Sequence, residues 1–156
     1  MPTDQELIKI VPSSRQLAYQ ATEFYAFFHF GMNTYTGSEW GNGKENPNQF
    51  QLTNDFDEET YVKAIHDAGF KKLIITAKHH DGFCIWPSEM TTHDTETAGY
   101  EGDVLEELSR ACTKYNIDMG LYLSPWDVNS EYYGYKDKDG KKLVGADGQP
   151  LNGKTW

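Results

Sequence analysis

Long apolar runs are missing from this 156-residue sequence. Nothing in it approaches the ~20 consecutive apolar residues that a membrane-spanning helix needs. Basic charge is also scarce. Lys and Arg number 14 against 24 Asp and Glu, giving a net charge of −10, which argues against a nucleic-acid backbone or an anionic membrane surface as partner. Cysteine is nearly absent. Cys84 and Cys112 lie far apart without metal-ligand spacing, so two small buried hydrophobes are favoured over a disulfide. The opening MPTDQELIKI lacks a basic-then-apolar order, so an export signal is expected to be absent or already removed. No GxGxxG turn follows the first apolar run, where the sequence reads HFGMNTYTGSEWG; a dinucleotide site is therefore not expected.

What remains is a chain of 38% apolar and 24% charged residues, the composition of a single folded domain and not of a disordered segment. Three apolar runs stand out: FYAFFHF at 24–30, KKLIITA at 71–77 and IDMGLYL at 117–123. Two of them are nearly continuous hydrophobic segments, as expected for parallel strands covered on both faces. Helical patterns separate them. Asp55 or Asp57 is placed to cap EETYVKAIHDA, where Tyr61, Ile65 and Ala68 recur at helical spacing and Gly69 supplies the stop. Asp103 is placed to cap VLEELSRACTKY, with Val104, Leu105, Leu108 and Cys112 in one stripe. Ahead of the first strand, Ser13-x-x-Gln16 is a capping-box pattern that predicts a further short helix.

The order is thus β-α-β-α-β, with strand starts about 46 residues apart, which favours a parallel sheet with right-handed crossovers. An open doubly wound sheet and a (β/α)8 barrel both accommodate it. Without a nucleotide turn, the barrel is preferred. A whole barrel takes ~250 residues, so residues 1–156 are expected to be the N-terminal portion of a (β/α)8 TIM-like barrel, truncated after about three strands. The polar, glycine-rich segment 136–154 reads as an insertion or loop.

Active residues of a barrel gather at the carboxyl ends of its strands. The first strand ends in His29, followed by Glu39 and Trp40; the second runs into KHHDGF, with His79, His80 and Asp81; the third ends in Tyr122, followed by Ser124, Trp126 and Asp127. One such histidine is ordinarily a satisfied core residue, but three strand ends carry the same character. A metal site is one reading. Against it, adjacent His79 and His80 on an extended chain point to opposite sides, and no H-x-H pair is present. His66, on a helix, and His93, in a threonine-rich loop, are expected at the surface. A hydrogen-bonding pocket fits better, because neutral imidazoles donate and accept and so match sugar hydroxyls. Trp40, Trp86 and Trp126 offer apolar faces, with packing the preferred role for Trp86. Asp81 and Gly82 are expected to shape the turn.

FFHFGMNTYTGSEWG, AGFKKLIITAKHHDGFCIWPS and GLYLSPWD together resemble the N-terminal barrel portion of glycoside hydrolase family 29, the α-L-fucosidases. The resemblance runs from about residue 12 to residue 133. EWG and SPWD look most like the branch acting on branched α-1,3/1,4-fucosides. The resemblance implies a retaining exo-glycosidase releasing terminal L-fucose from fucosylated oligosaccharides or glycoconjugates. It assigns His29, Glu39, Trp40, His79, His80 and Tyr122 to the fucose pocket, with Trp126 and Asp127 in its outer part. It places the nucleophile beyond Trp156, so no catalytic residue is expected in this segment and the chain alone is expected to be inactive. It implies no metal and no cofactor, and favours a periplasmic or secreted enzyme. Two rivals stay open: a metal-dependent hydrolase on the same barrel, and a non-catalytic sugar-binding module. Self-association of an incomplete barrel is expected.

Overall fold

The computed structural model describes residues 3, 4, 11–53, 56–130, 139, 141 and 144. Asp55 and, apart from those last three residues, the segment 136–154 lie outside the described residues.

Three strands, β1 (Tyr25–Phe28), β2 (Lys72–Lys78) and β3 (Asp118–Leu123), form a parallel sheet in the order β1-β2-β3. Tyr25 pairs with Lys72, which pairs with Asp118, so the predicted spacing sets the register. Helix α1 (Ser14–Gln20) precedes the sheet. Its capping box forms as expected: Gln16 N–H donates to Ser13 Oγ at 3.3 Å, and Ser13 N–H donates to Gln16 Oε1 at 2.7 Å.

Two longer helices cover one face of the sheet. Helix α3 (Glu58–Asp67) is capped by Asp57, whose Oδ1 accepts from Thr60 N–H at 2.9 Å. It buries Val62 and Ile65 and leaves through Gly69 at φ +86°, a left-handed exit that glycine adopts without Cβ strain. Helix α4 (Val104–Lys114) is capped by Asp103, which accepts from Leu105 and Glu106 N–H groups. Its stripe Val104, Leu108, Ala111 and Cys112 is buried. Leu73 and Ile75 of β2 meet these helices, with Ala26, Phe28 and Met119 packed beside them. Cys84 and Cys112 are buried free thiols, as expected.

Only β2 is covered as the apolar runs predict. Its residues are buried or half-buried throughout, whereas β1 and β3 alternate with exposed positions. Phe27, Leu121 and Leu123 are among the exposed side chains. The reason is position: β2 lies between two strands, and β1 and β3 are edges.

Two elements were not anticipated. Helix α2 (Met32–Thr36) follows β1, and a 3₁₀ turn spans Pro47–Gln49. The second was legible, since NPNQ is a capping box with Pro at the first helical position: Asn46 Oδ1 accepts from Asn48 N–H and Gln49 Oε1 from Asn46 N–H. His93 is a correction. It is buried, because the threonine-rich loop pairs with the Cys84 segment: Cys84 N–H donates to His93 O at 2.9 Å and Thr95 N–H to Cys84 O at 3.1 Å.

If α4 carries the core, Leu108→Ala is expected to cost about 2–5 kcal/mol of unfolding free energy. Asp103→Ala, which removes only a cap, is expected to cost about 1 kcal/mol. Urea unfolding followed by circular dichroism measures both.

Candidate functional site

The carboxyl ends of the three strands converge. His29 leaves β1, His79 and His80 leave β2, and Tyr122 closes β3. The ring centroids of His29 and His79 lie 5.6 Å apart, those of His79 and Tyr122 6.0 Å, and those of His29 and Tyr122 6.4 Å. Beside them is a cavity of about 530 Å³, lined by His29, Thr76, His79, Glu39, Trp40 and the intervening loop. Thr76 clamps its floor, donating to Phe30 O at 2.9 Å and accepting from Phe30 N–H at 3.0 Å. Asn33 Nδ2 donates to the Glu39 carbonyl and holds the loop's tip.

The two adjacent histidines do not point apart. Their ring centroids are 4.3 Å from each other, because β2 ends at Lys78 and the chain turns at once. Strand alternation therefore does not reach His80. The pair nevertheless gathers no metal-ligand set: among the described residues no three His, Cys, Asp or Glu side chains cluster in that way. His80 turns toward a second group, its centroid 4.7 Å from Trp126 and 5.6 Å from Trp40; the two indoles are 5.3 Å apart, edge to face.

Electrostatics favour the uncharged form of His79. Burial holds His79 below the usual histidine range, and the neighbouring His80 and His29 rings add to that, against the pull of Glu39. A neutral ring both donates and accepts. Glu39 is exposed, and among the described residues it is the one carboxylate lining the cavity. The arrangement supplies donors, acceptors and aromatic faces to a small polyhydroxylated ring. It does not supply two carboxyls.

Beneath the pocket the three loops interlock. Lys78 Nζ meets Asp127 Oδ2 at 2.8 Å with both side chains over four-fifths buried, and Asp127 Oδ1 accepts from the Asn129 and Ser130 N–H groups. Asp127 is thereby anchored to Lys78 and to its own turn. Trp126 does face His80. Glycines permit the close approach. A Cβ on Gly43 would come within 2.6 Å of the Val128 and Asn129 backbone, and one on Gly82 within 2.3 Å of Asp127 Oδ1. Asp81 is buried in the turn, its Oδ1 accepting from Phe83 N–H at 2.7 Å while Oδ2 has no hydrogen-bond partner among the described residues. Burial pushes its carboxyl up to about 6; the Phe83 N–H opposes that rise, and Glu45 and Asp127 add to it. Burial also holds His93 below its ordinary value, opposed by Glu45, Asp127 and Asp94.

Thr76, Asn33 and Ser124 were not singled out as pocket residues by sequence reasoning. Thr76 is the one polar residue within LIITA, which was a usable signal; Asn33 and Ser124 act through bonds that only the fold reveals.

Comparison with known proteins bears on this site. The family profile described as Alpha-L-fucosidase matches residues 16–146. Alpha-L-fucosidase 1 of Arabidopsis thaliana is 46% identical over 127 residues, covering 80% of this chain and 25% of that protein. The tissue alpha-L-fucosidase of Homo sapiens is 29% identical over 150 residues, covering 80% of this chain and 32% of that one. Among solved structures, a Ruminococcus gnavus GH29 fucosidase in complex with fucose superposes with a TM-score of 0.79 at 52% identity, covering 92% of this chain and 30% of that chain. The chain therefore spans about a quarter to a third of the length of these relatives.

Two outcomes test the layer beneath the pocket. Gly82 sits at φ +82° against Asp127, so Gly82→Ala is expected to lose about 2–4 kcal/mol in denaturant unfolding. For Asp81 the folded value near 6 lies above the unfolded 3.8, so its contribution to stability is full below pH 4 and is lost as pH rises through 6. Asp81→Asn keeps the acceptor for Phe83. It is expected to match the parent near pH 4 and to exceed it at pH 8 by about 1–3 kcal/mol, read from thermal or urea unfolding at both pH values.

Proposed function

The chain belongs to the alpha-L-fucosidase family, and on that premise we propose that its cavity receives the terminal α-L-fucose of a fucosylated oligosaccharide or glycoconjugate. One observation carries the reading: His29, His79 and Tyr122, one from each strand end, meet beside the cavity that Glu39 and Trp40 also line. The imidazoles and the Tyr122 hydroxyl exchange hydrogen bonds with sugar hydroxyls, Glu39 accepts from another, and the indole of Trp40 covers an apolar face of the sugar. Trp126 and Trp40, beyond His80, border the direction in which the rest of the glycan leaves. The EWG and SPWD forms support α-1,3/1,4-linked fucosides as the substrates.

The reaction is a retaining double displacement. A carboxylate attacks the anomeric carbon as a second carboxyl protonates the departing oxygen; water then attacks the glycosyl-enzyme, releasing L-fucose with its configuration kept. That scheme needs two carboxyl groups about 5–5.5 Å apart. With Glu39 alone at the cavity, both are assigned to later strands of a (β/α)8 barrel whose first three units are present here. Exposed Phe27, Leu121 and Leu123 are then surfaces that neighbouring units cover, and they support self-association of the chain alone.

The chain alone is expected to hydrolyse no aryl α-L-fucoside. In the enzyme completed through its remaining strands, His79→Ala or His80→Ala is expected to lower kcat/KM roughly ten- to a hundredfold, as for loss of a hydrogen bond of ~1–3 kcal/mol. A chelator should leave the parent unchanged. Abolition of activity by chelation, with restoration by zinc, would establish the metal-dependent rival instead.

A further inference from the structure

The loop after β3 holds a hydrogen-bond arrangement with only one internally consistent proton assignment. Ser124 is buried, with about 1% of its surface exposed, and its Oγ has three neighbours. His80 Nδ1 lies at 2.7 Å, the Trp126 carbonyl oxygen at 2.8 Å and the Trp126 backbone nitrogen at 3.1 Å. A serine hydroxyl offers one proton and two lone pairs. The carbonyl can only accept, so it takes the proton. The Trp126 N–H can only donate, so it fills one lone pair. His80 is left with the second lone pair, and it can use that only as a donor.

We propose that Ser124 is a positioning residue that fixes neutral His80 as the Nδ1–H tautomer, so that Nε2 presents a lone pair and accepts from a ligand hydroxyl. The alternative, with Ser124 donating to His80 Nδ1, leaves the Trp126 carbonyl without this proton and makes two bonds in place of three. The frame around the group is rigid. Ser124 N–H donates to Lys78 O at 3.0 Å, and Val128 N–H donates to His80 O at 2.9 Å, so both residues are tied to the interlocked loops. The Trp126 and Trp40 rings both pack against the imidazole and against each other. Among the described residues His80 Nε2 has no protein partner, so the acceptor is available. The identity of the ligand as L-fucose rests on the function proposed above; the tautomer does not.

The consequence is directional. His80 reads a hydroxyl that donates to it, and Ser124 determines this without touching the sugar. The test is made on the ¹⁵N-labelled chain by long-range ¹H–¹⁵N correlation of the imidazole rings under mildly alkaline conditions, where neutral Nδ1–H and Nε2–H rings give distinct patterns. His80→Gln identifies the His80 signals by their disappearance. The parent is expected to show the Nδ1–H pattern, Ser124→Thr to retain it, and Ser124→Ala to move to Nε2–H. An Nε2–H pattern in the parent, or Nδ1–H undisturbed in Ser124→Ala, would overturn the proposal. Should Ser124→Ala not fold, the parent spectrum alone decides. A second arm titrates L-fucose into the enzyme completed through its remaining strands, in which Ser124→Ala is expected to bind about tenfold more weakly than the parent, as for one lost hydrogen bond. If the parent shows Nδ1–H but L-fucose leaves the His80 signals unmoved, the Ser124 assignment stands and the fucose reading falls.

Discussion

The site depends on how closely three loops approach one another beneath it. Gly43 lies against the backbone of Val128 and Asn129, Gly82 against Asp127, and Gly41 against Asp81, each at positive φ. A side chain at any of these points would push the loops apart, and every ring above would move with its loop. The Lys78–Asp127 ion pair and the bond from Asn129 Nδ2 to Gly43 O at 2.8 Å hold the closed arrangement. Positioning to within a fraction of an ångström is what directed hydrogen bonds require, and a backbone interlock achieves it better than surface side chains would.

The chemistry is layered by depth. The rings of His29, His79 and Trp40 face the cavity; below them Lys78 and Asp127 are paired, and Asp81 and His93 are shifted toward neutrality. Lys78 and Asp127 neutralise one another; without its partner, either would be a costly buried charge. Asp81 and His93 are both pushed by burial toward their uncharged forms, in opposite pH senses. Asp81 loses stability as pH rises through about 6. His93, held low, loses it as pH falls through its folded value. The turn carrying His79 and His80 is therefore built on groups that prefer not to be charged.

Much of this was legible in the sequence, where local rules govern. Ser13, Asp57 and Asp103 cap their helices as their spacing indicates, Gly69 ends one, and the three apolar runs pair in register. Asp81 and Gly82 make the expected turn. The misses are long-range. His80 shares the side of His79 because the strand stops at Lys78, a boundary that no pattern in LIITAKHHDGF marks. His93 is buried by pairing with the Cys84 segment, and Asp127 pairs with Lys78, 49 residues earlier. Coverage on both faces is reached by β2 alone, because hydrophobicity reports a need for burial, not the presence of a neighbour that provides it.

The central claim is that these loops form a fucose pocket, and a binding map tests it most directly. L-Fucose and, separately, its mirror image D-fucose would be titrated into the ¹⁵N-labelled enzyme completed through its remaining strands while amide and ring signals are followed. L-Fucose is expected to shift signals of His29, Glu39, Trp40, His79, His80 and Tyr122, with D-fucose leaving them in place. Equal responses to both sugars, or responses centred on the groove beside Val11, Arg15 and Tyr19, would contradict a fucose pocket at the strand ends.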